Sequence, residues 1–489
     1  MITHSWGKTG HTAAEQRDVR VHTEVEAAVT STPEQALPAG TPTASTRSDW
    51  KNTILAGLAN YIDAGSIVAG SVALAIWAKQ FHLTSNFLGL IGAFSSNAIS
   101  AGIGALIGGR LCDQVGRKKI YQWDMLVYAV GMLVLVFAVK PWMIVVGFVL
   151  AGLAVGADIP ASWTIIAEMA PDGHRGKHSG VAQVLWYMGP VVVLLSGVAL
   201  SPLGILGARI IFAHLVVLAL LLWAFRFGMR ESTIWTAARA AVVRPDPNAP
   251  KAGEAEVNVA MSNGRIRELF ASRDNLKALG FLIGMYGIWN LWAGTNGFFF
   301  PFILRTVGSQ TLAVSDGLQA ASFFLGVVSI YFVFMRFSDR LDQRKMLASS
   351  FVIQIVGMAL LAIFPLTLPV ALSYVILTGF GGGWGAQSFF QLWSGELFPT
   401  LLRSTAQGFM FAVVRIGLGI WSLFVPTIIL VGFKPLAWIL TSFLVVAGLI
   451  GVAGAPRNAG KSLDEIQFDR HRIAQARAAQ AQVSSTPTT

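Results

Sequence analysis

Long apolar stretches, separated by short polar ones, run through most of this chain. Each stretch is close to or longer than the roughly 20 predominantly apolar residues with which a helix crosses the hydrocarbon core of a bilayer. The pattern therefore predicts an all-α integral membrane protein with twelve transmembrane helices. The twelve stretches lie at approximately 52–78, 87–109, 122–139, 142–167, 178–200, 206–227, 276–302, 314–335, 346–364, 368–394, 404–430 and 434–454.

The longest polar interruption separates the first six apolar stretches from the next six, and it contains the sequence Arg-Pro-Asp-Pro. We therefore expect two six-helix bundles, at 49–227 and 276–456, joined by a cytoplasmic linker at 228–275. Residues 1–48 are polar and contain no apolar run, which is typical of a disordered tail. A second polar tail is expected at 457–489.

The composition indicates that the bilayer is the solvent of this chain. Of its 489 residues, 54% are hydrophobic and 12% are charged, and the mean hydropathy is +0.60. Soluble domains carry about 25% charged residues, so the charge needed to cover a soluble surface is missing. Thirty of the 36 Lys and Arg residues lie in the tails, in the even-numbered gaps between stretches or within two residues of those gaps. Because basic residues accumulate on the cytoplasmic side, both termini are predicted to be cytoplasmic.

The sequence also argues against several classes of function. The net charge of +11 comes from short runs between apolar stretches, whereas a nucleic-acid-binding domain presents a basic patch. The single cysteine, Cys112, excludes an intrachain disulfide. There is no P-loop, nucleotide-binding fingerprint, His/Glu metal cluster or nucleophile with a base. We therefore expect no cofactor, no metal ion and no enzymatic activity.

Two charged motifs occur once in each half of the chain. GGRLCDQVGRKK follows the second stretch and RFSDRLDQRK follows the eighth, with their first aspartates 226 residues apart. The pattern E-x-x-P-x-x-x-R ends the fourth stretch and recurs 228 residues later at the end of the tenth. Repetition in the same order at nearly one offset predicts two homologous bundles. The residues expected to close the cytoplasmic side through ion pairs between helix ends are Asp113, Gly116, Arg117, Glu168, Arg175, Asp339, Arg340, Glu396 and Arg403.

These motifs resemble those of the major facilitator superfamily, and more narrowly of its sugar-porter and metabolite:proton symporter branches. The segment 229–236 is similar to the sugar-porter motif PESPRWL, of which Glu231, Ser232 and Trp235 are kept. The segment 456–466, PRNAGKSLDEI, is similar to PETKGKSLEEI. The resemblance implies two pseudo-symmetric bundles that transport by alternating access in the cell membrane. It also implies a small-molecule substrate and protons as partners, and we expect a monomer.

The resemblance also points to residues for substrate and coupling. Asp63 occupies the place of the first-helix aspartate that proton-coupled sugar porters use, and Gln183 falls on their sugar-binding glutamine of helix five. In helix seven, 294–296 resembles Gly-Ile-Asn, and Asn290 replaces the first glutamine of a pair. In helix ten, Gln391 stands where a tryptophan is expected.

Three ionisable residues lie deep in apolar stretches, where a charge costs about 2.5–3.5 kcal/mol on insertion scales. We expect Asp63 to carry the coupled proton and Arg415 to be its cationic partner, because the helix-four arginine of sugar porters is Phe148 here. Arg415 could instead bind an anionic substrate, since guanidinium groups favour carboxylates. Asp158 is either a second proton site or a cap for a kink before Pro160.

Helix ten also carries polar residues at a helical spacing. Trp384, Gln387 and Gln391 are spaced 0, 3 and 7, which places them on one face of a continuous helix. Amides beside an indole suit a hydroxylated ring, although such amides also join membrane helices to each other. The candidate substrate-binding residues are Gln183, Asn290, Asn296, Trp384, Gln387 and Gln391.

Together these features favour a secondary transporter that takes up a sugar or polyol, inositol-like compounds included, with protons. One alternative with the same fold is transport of an organic anion held by Arg415. A second alternative is proton-driven export of metabolites or drugs. A remote alternative is a membrane receptor that binds a solute without transporting it.

Overall fold

The structure is a computed structural model, and its helices are those expected of a twelve-helix membrane protein. It describes residues 47–96, 98–171, 174–227, 231–243, 269–270, 272–458, 461, 463 and 465–466. Most of the predicted N-terminal tail, linker and C-terminal tail therefore lies outside the described residues. The same holds for Gly460 and Ser462 of the C-terminal motif.

The first bundle contains six membrane helices, of which the second consists of two segments. Their bounds are α1 Arg47–Gln80, α2 Ser85–Ala93 and Ile99–Val115, α3 Arg117–Val136, α4 Pro141–Met169, α5 Arg175–Leu200 and α6 Ile205–Arg226. A short connecting helix, Thr233–Val243, follows the bundle.

The second bundle repeats this arrangement with more interruptions. In α7, Arg273–Leu282 and Ile288–Thr306 are joined by the π-helical turn Ile283–Gly287. In α8, Leu312–Ser329 and Met335–Phe337 are joined by the π-helical turn Ile330–Phe334. The remaining helices are α9 Gln343–Ile363, α10 Leu368–Gly382 and Ala386–Glu396, α11 Arg403–Val431 and α12 Phe433–Gly454.

Ten spans in the described part of the chain are long and apolar enough to cross a membrane, and α8 and α10 are among them despite their irregular turns. The other two crossings are α2, which is interrupted at 94–98, and α7. The twelve-helix expectation is therefore confirmed.

Several helices extend further than their apolar stretches. α3 begins at Arg117 and not near residue 122, and α10 continues to Glu396. The extensions carry charged residues that end an apolar stretch but are buried in the fold. We use the term basic face for the side of the protein at which α2, α4, α8 and α10 end.

The two bundles contact each other through α2 with α11 and α5 with α8. Glycines permit the close approach of α2 and α11: a Cβ atom at Gly109 would collide with the carbonyl oxygen of Ser404, and one at Gly408 with that of Ala105. Small residues at such crossings let membrane helices pack with their backbones in contact. The bundles are therefore tightly joined towards the basic face.

Candidate functional site

A central cavity of about 100 Å³ lies between the two bundles. It is lined by residues of α1, α5, α7, α8, α10 and α11. Its walls are largely aromatic, with Trp186 and Tyr187 from α5 opposite Tyr286, Trp289 and Trp292 from α7. A mostly apolar concave site with a few convergent polar groups is the usual form of a small-molecule site.

Three of the six candidate substrate-binding residues line this cavity. They are Asn290 and Asn296 on α7 and Gln387 on the second segment of α10. Tyr286 Oη donates to Gln387 Oε1 at 2.6 Å, and Tyr374 Oη donates to Asn296 Oδ1 at 2.6 Å. Each tyrosine thus holds one end of an amide and orients the amide nitrogen for a further bond.

The cavity also has polar atoms without a partner in the described part of the chain. The buried Oδ1 of Asn290 accepts no hydrogen bond there, and the buried Nε of Arg415 donates none. Buried polar groups are costly when left unsatisfied. One acceptor and one donor of residues that line the cavity therefore lack a protein partner in this conformation.

Gln183 and Gln391 do not line the cavity but bind each other. Gln183 Nε2 donates to Gln391 Oε1 across the boundary between the bundles, and both side chains are buried. Gln391 lies one helical turn beyond Gln387 towards the basic face. In this conformation the two amides join α5 to α10 below the cavity, as membrane amides commonly do.

Trp384, which was predicted to face the substrate, does not line the cavity in this conformation. Its 0, 3, 7 spacing with the glutamines assumes one continuous helix, but α10 is interrupted between Gly382 and Ala386. Trp384 lies in the interruption, and its Nε1 donates to Ser349 Oγ on α9 at 3.1 Å. The indole therefore packs within the second bundle.

Asp63 is buried in α1 next to the cavity. Its Oδ2 accepts a hydrogen bond from Trp186 Nε1 at 3.1 Å, and Trp186 itself lines the cavity. Arg415 also lines the cavity and interacts electrostatically with Asp63, but no ion pair within 4.0 Å joins them. The guanidinium of Arg415 instead lies 4.4 Å from the centre of the Phe411 ring.

The position at which sugar porters carry an arginine on helix four is apolar here. Phe148 packs edge-on against Trp77 and Phe212, with ring centres 6.1 and 6.4 Å apart. No cation from α4 therefore reaches Asp63, and the positive charge that acts on Asp63 is that of Arg415 on α11.

Asp158 belongs to a buried cluster of charges on α3, α4 and α6. Arg226 Nη1 lies 2.8 Å from Asp158 Oδ1 and 2.9 Å from Asp124 Oδ1. The Tyr121 ring stacks on the guanidinium, 3.3 Å from Cζ to the ring centre. The Oγ of Ser162 donates to Asp158 Oδ2 at 3.2 Å. The cluster joins α3, α4 and α6, and the predicted roles of Asp158 as a second proton site or a kink cap stay predictions.

The sequence contained a signal for this cluster. Asp124 falls inside α3 because the helix begins at Arg117, and Arg226 is the last residue of α6. Arg226 adjoins the basic linker in sequence, where an exposed side chain is expected, but in the fold it is fully buried.

At the basic face, Arg117 is the centre of the first group of gate residues. Its Nη2 lies 3.0 Å from Asp113 Oδ1 and 3.1 Å from Glu168 Oε1. The same Glu168 oxygen lies 2.9 Å from Arg403 Nη1 in the second bundle. The free N–H of Thr405, at the start of α11, donates to Asp113 Oδ2 at 2.6 Å.

In the second group of gate residues the contributions of the two bundles are exchanged: the acid at a helix start now comes from the second bundle, and the arginine from the first. Asp339 accepts from the backbone N–H groups of Gly176 at 2.9 Å and of Lys177 at 3.2 Å, at the start of α5. Arg175 Nε lies 3.7 Å from Glu396 Oε1. Burial raises the pKa of Asp339, and the two N–H donors and the charge of Arg175 act in the opposite sense.

Two gate expectations need qualification. Arg340 forms no ion pair within 4.0 Å in the described part of the chain, because it points into a cavity on the basic face. Gly116 ends α2 with a φ of 111°, a conformation that favours glycine. This turn brings the N–H groups of Arg117 and Lys118 to the Glu231 carboxylate, at 3.2 and 3.1 Å.

The fold and these motifs define a class of protein. The family model of the Major Facilitator Superfamily matches residues 53–422, and the chain belongs to this superfamily. It is therefore a multi-pass membrane protein of a transporter family, as the sequence motifs predicted.

The chain is also similar to individual transporters of known name. The minor myo-inositol transporter IolF of Bacillus subtilis (strain 168) is 43% identical over 418 residues, which cover 85% of this chain and 93% of IolF. The glucose transporter GlcP of Staphylococcus epidermidis is 25% identical over 447 residues, which cover 85% of this chain and 95% of GlcP. Among solved structures, the proton:xylose symporter XylE bound to 6-bromo-6-deoxy-D-glucose matches with a TM-score of 0.68 and 18% identity. That match covers 86% of this chain and 98% of XylE and concerns the fold alone.

Proposed function

We propose that this protein is a secondary transporter that takes up a polyol or sugar, with myo-inositol as the leading candidate, together with protons. The observation that carries the proposal is one aromatic cavity, lined by Asn290, Asn296 and Gln387, beside the buried carboxyl of Asp63. The similarity to IolF over most of both chains supports the choice of a polyol.

The cavity suits a hydroxylated ring for chemical reasons. Each hydroxyl group both donates and accepts, so it can bond to the free amide nitrogen of Gln387 and to the unsatisfied Oδ1 of Asn290. The indole faces pack against the C–H face of such a ring. The ring therefore replaces water without leaving polar atoms unpaired.

Trp186 connects the substrate to the proton in this proposal. Its indole lines the cavity, and its N–H group bonds to Asp63. A protonated Asp63 is neutral and is stable in the apolar packing, whereas an ionised Asp63 needs its N–H donor and the charge of Arg415. A substrate that displaces Trp186 or screens Arg415 therefore changes the affinity of Asp63 for its proton.

The ion pairs at the basic face explain how access to the cavity alternates between the two sides of the membrane. In this proposal the basic face and both termini lie in the cytoplasm, as the distribution of basic residues favours, and the ion pairs of Glu168 and Glu396 hold the cytoplasmic side closed. Substrate and proton then enter from the opposite face. Rocking of the two bundles breaks these cross-bundle pairs and opens the way to the cytoplasm. The protein acts as a monomer.

Uptake of labelled myo-inositol into proteoliposomes tests the proposal. An inward proton gradient should cause accumulation that a protonophore abolishes. In Gln387→Ala, loss of one neutral hydrogen bond should raise the half-saturating concentration roughly tenfold. The control Trp384→Phe removes an indole outside the cavity and should change this value little. Uptake that equilibrates without accumulating would contradict proton coupling.

A second candidate is uptake of an organic anion. The observation in its favour is that Arg415 lines the cavity and its Nε group is buried without a hydrogen-bond partner in the described residues. Guanidinium groups bind carboxylates in two-pronged pairs. A thermal-shift screen of polyols, sugars and organic acids discriminates, because Arg415→Gln should abolish stabilisation by acids and preserve that by polyols.

A further inference from the structure

A second and larger cavity, of about 550 Å³, opens at the basic face between α5 and α8. Positively charged or titratable side chains dominate its wall. Lys177 lies on the α5 side, and Arg336 and Arg340 lie on and just beyond the α8 side. The complete lining is His174, Lys177, Tyr331, Phe332, Met335, Arg336, Asp339 and Arg340.

The charge of this cavity is not balanced by the described residues. Asp339 is the one acid in its lining, and both of its oxygens accept bonds from the backbone N–H groups that start α5. Arg336 and Arg340 form no ion pair within 4.0 Å in the described ranges, and the Lys177 ammonium lies 5.5 Å from the centre of the Trp50 ring. Lys177, Arg336 and Arg340 thus carry three positive charges, and the oxygens of Asp339 already accept hydrogen bonds from the start of α5. An anion is therefore the ligand that this cavity favours.

The same cavity has an apolar end. Tyr331 and Phe332 are 60% and 57% exposed, on the part of α8 that precedes the arginines. Arg336 follows Tyr331 by five residues along α8, and Arg340 lies in the turn just beyond the end of the helix. The wall therefore passes from a membrane-facing aromatic surface to a cationic one, which matches an amphiphile better than a free inorganic anion.

We propose that this cavity binds the phosphodiester headgroup of an anionic phospholipid. The phosphate lies between Lys177 and the two arginines, and an acyl chain follows Tyr331 and Phe332. Basic pockets between membrane helices are known to accept such headgroups.

The bound lipid has a consequence for transport. Lys177 belongs to the first bundle, whereas Arg336 and Arg340 belong to the second. One phosphate between them links the bundles beside the contact of Asp339 with the start of α5. Separation of the bundles at the basic face divides this site, so the lipid stabilises the closed basic face.

The test uses the purified full-length protein, delipidated in detergent and titrated with phosphatidylglycerol. Native mass spectrometry should detect one retained lipid, and thermal unfolding should shift upward. Arg336→Gln/Arg340→Gln should weaken binding roughly thirty-fold. The matched control Lys119→Gln/Lys345→Gln removes the same charge from exposed sites outside the cavity and should change binding little.

Three results decide the proposal. An unchanged unfolding temperature without lipid shows that the Arg336→Gln/Arg340→Gln protein is folded, so its loss of lipid supports the site. Equal retention of phosphatidylcholine, or equal effects of the two double variants, overturns it. Stabilisation by inorganic phosphate equal to that by phosphatidylglycerol overturns the lipid and indicates a soluble anion. None of these results depends on the transported substrate.

Discussion

Replacement of Glu168 by glutamine should open the basic face, because this carboxylate joins the bundles through buried ion pairs. Its Oε1 lies 3.1 Å from Arg117 Nη2 and 2.9 Å from Arg403 Nη1, and these side chains are fully buried. In Glu168→Gln, Arg117 keeps its ion pair with Asp113. Arg403 keeps no acid within 4.0 Å among the described residues.

The size of the effect follows from these contacts. Removal of one partner from a buried ion pair costs about 3–5 kcal/mol. Only the part of this free energy that differs between the closed and open conformations shifts their ratio. In the open conformation water reaches the unpaired Arg403, so most of the cost falls on the closed conformation. At about 3 kcal/mol, the open-to-closed ratio should rise roughly a hundredfold. The matched Glu396→Gln removes one ion pair at 3.7 Å and should raise the ratio roughly tenfold or less.

A cysteine at position 404 reports this opening. Ser404 is buried between the bundles, where its Oγ donates to Thr164 Oγ1 at 3.0 Å. The rate at which a polar thiol reagent modifies Ser404→Cys should follow the open fraction. Cys112 is the one natural cysteine and is buried, so its protection in the chain with Ser404 excludes unfolding.

An unchanged modification rate at position 404 in Glu168→Gln would refute this account of the gate. So would a rate no higher than that of Glu396→Gln, because the ion pairs of Glu168 at 3.1 and 2.9 Å are shorter than the 3.7 Å contact of Glu396 with Arg175.

Three further outcomes are expected. Asp63→Asn should retain exchange of labelled substrate but lose accumulation driven by a proton gradient; sustained accumulation would contradict Asp63 as the proton carrier. Arg226→Met leaves two buried acids without their cation and should lower the free energy of unfolding by about 3–5 kcal/mol, measured by urea or thermal unfolding. Asp124→Asn keeps the ion pair of Arg226 with Asp158 and should lower the free energy of unfolding clearly less. An equal decrease in both variants would contradict the stabilising role of the cluster. A reporter that is active only outside the cytoplasm, fused after Thr489, should be silent, and activity would reverse the orientation.

The gate residues could be predicted from sequence because their information is local and repeated. Glu168 with Arg175 and Glu396 with Arg403 have one spacing, and the spacing alone predicts that both pairs stand at helix ends. Sequence could not show that each acid pairs across the bundles, since Glu168 meets Arg403 and Arg175 meets Glu396. That exchange depends on how the bundles pack.

The cavity was harder to predict because small backbone irregularities decide which side chains enter it. The interruption of α10 before Ala386 turns Trp384 towards α9, and neither glycine-rich sequence nor spacing fixes that direction. The π-helical turn in α7 places Tyr286 where it binds Gln387. Gln183 and Gln391 were expected to meet a substrate, but in the closed arrangement Gln183 donates a hydrogen bond to Gln391.

The two halves of the gate are unequal, and the inequality lies where the lipid is proposed to bind. α3 begins at Arg117 and its repeat α9 begins at Gln343, 226 residues later. Arg117 joins Asp113 to Glu168, whereas Gln343 accepts a bond from Trp393 and donates to Ser338. The α5–α8 side therefore lacks the central cation that the α2–α11 side has. A phosphate held there by cations of both bundles would add a charge contact between them on that side. Under this reasoning, removal of phosphatidylglycerol should raise the open-to-closed ratio by about the same factor in the parent chain and in Glu168→Gln, because independent contributions to the closed state add as free energies. The modification rate at position 404 should therefore be highest in delipidated Glu168→Gln, and no response to lipid removal in either chain would contradict the role of the lipid at the gate.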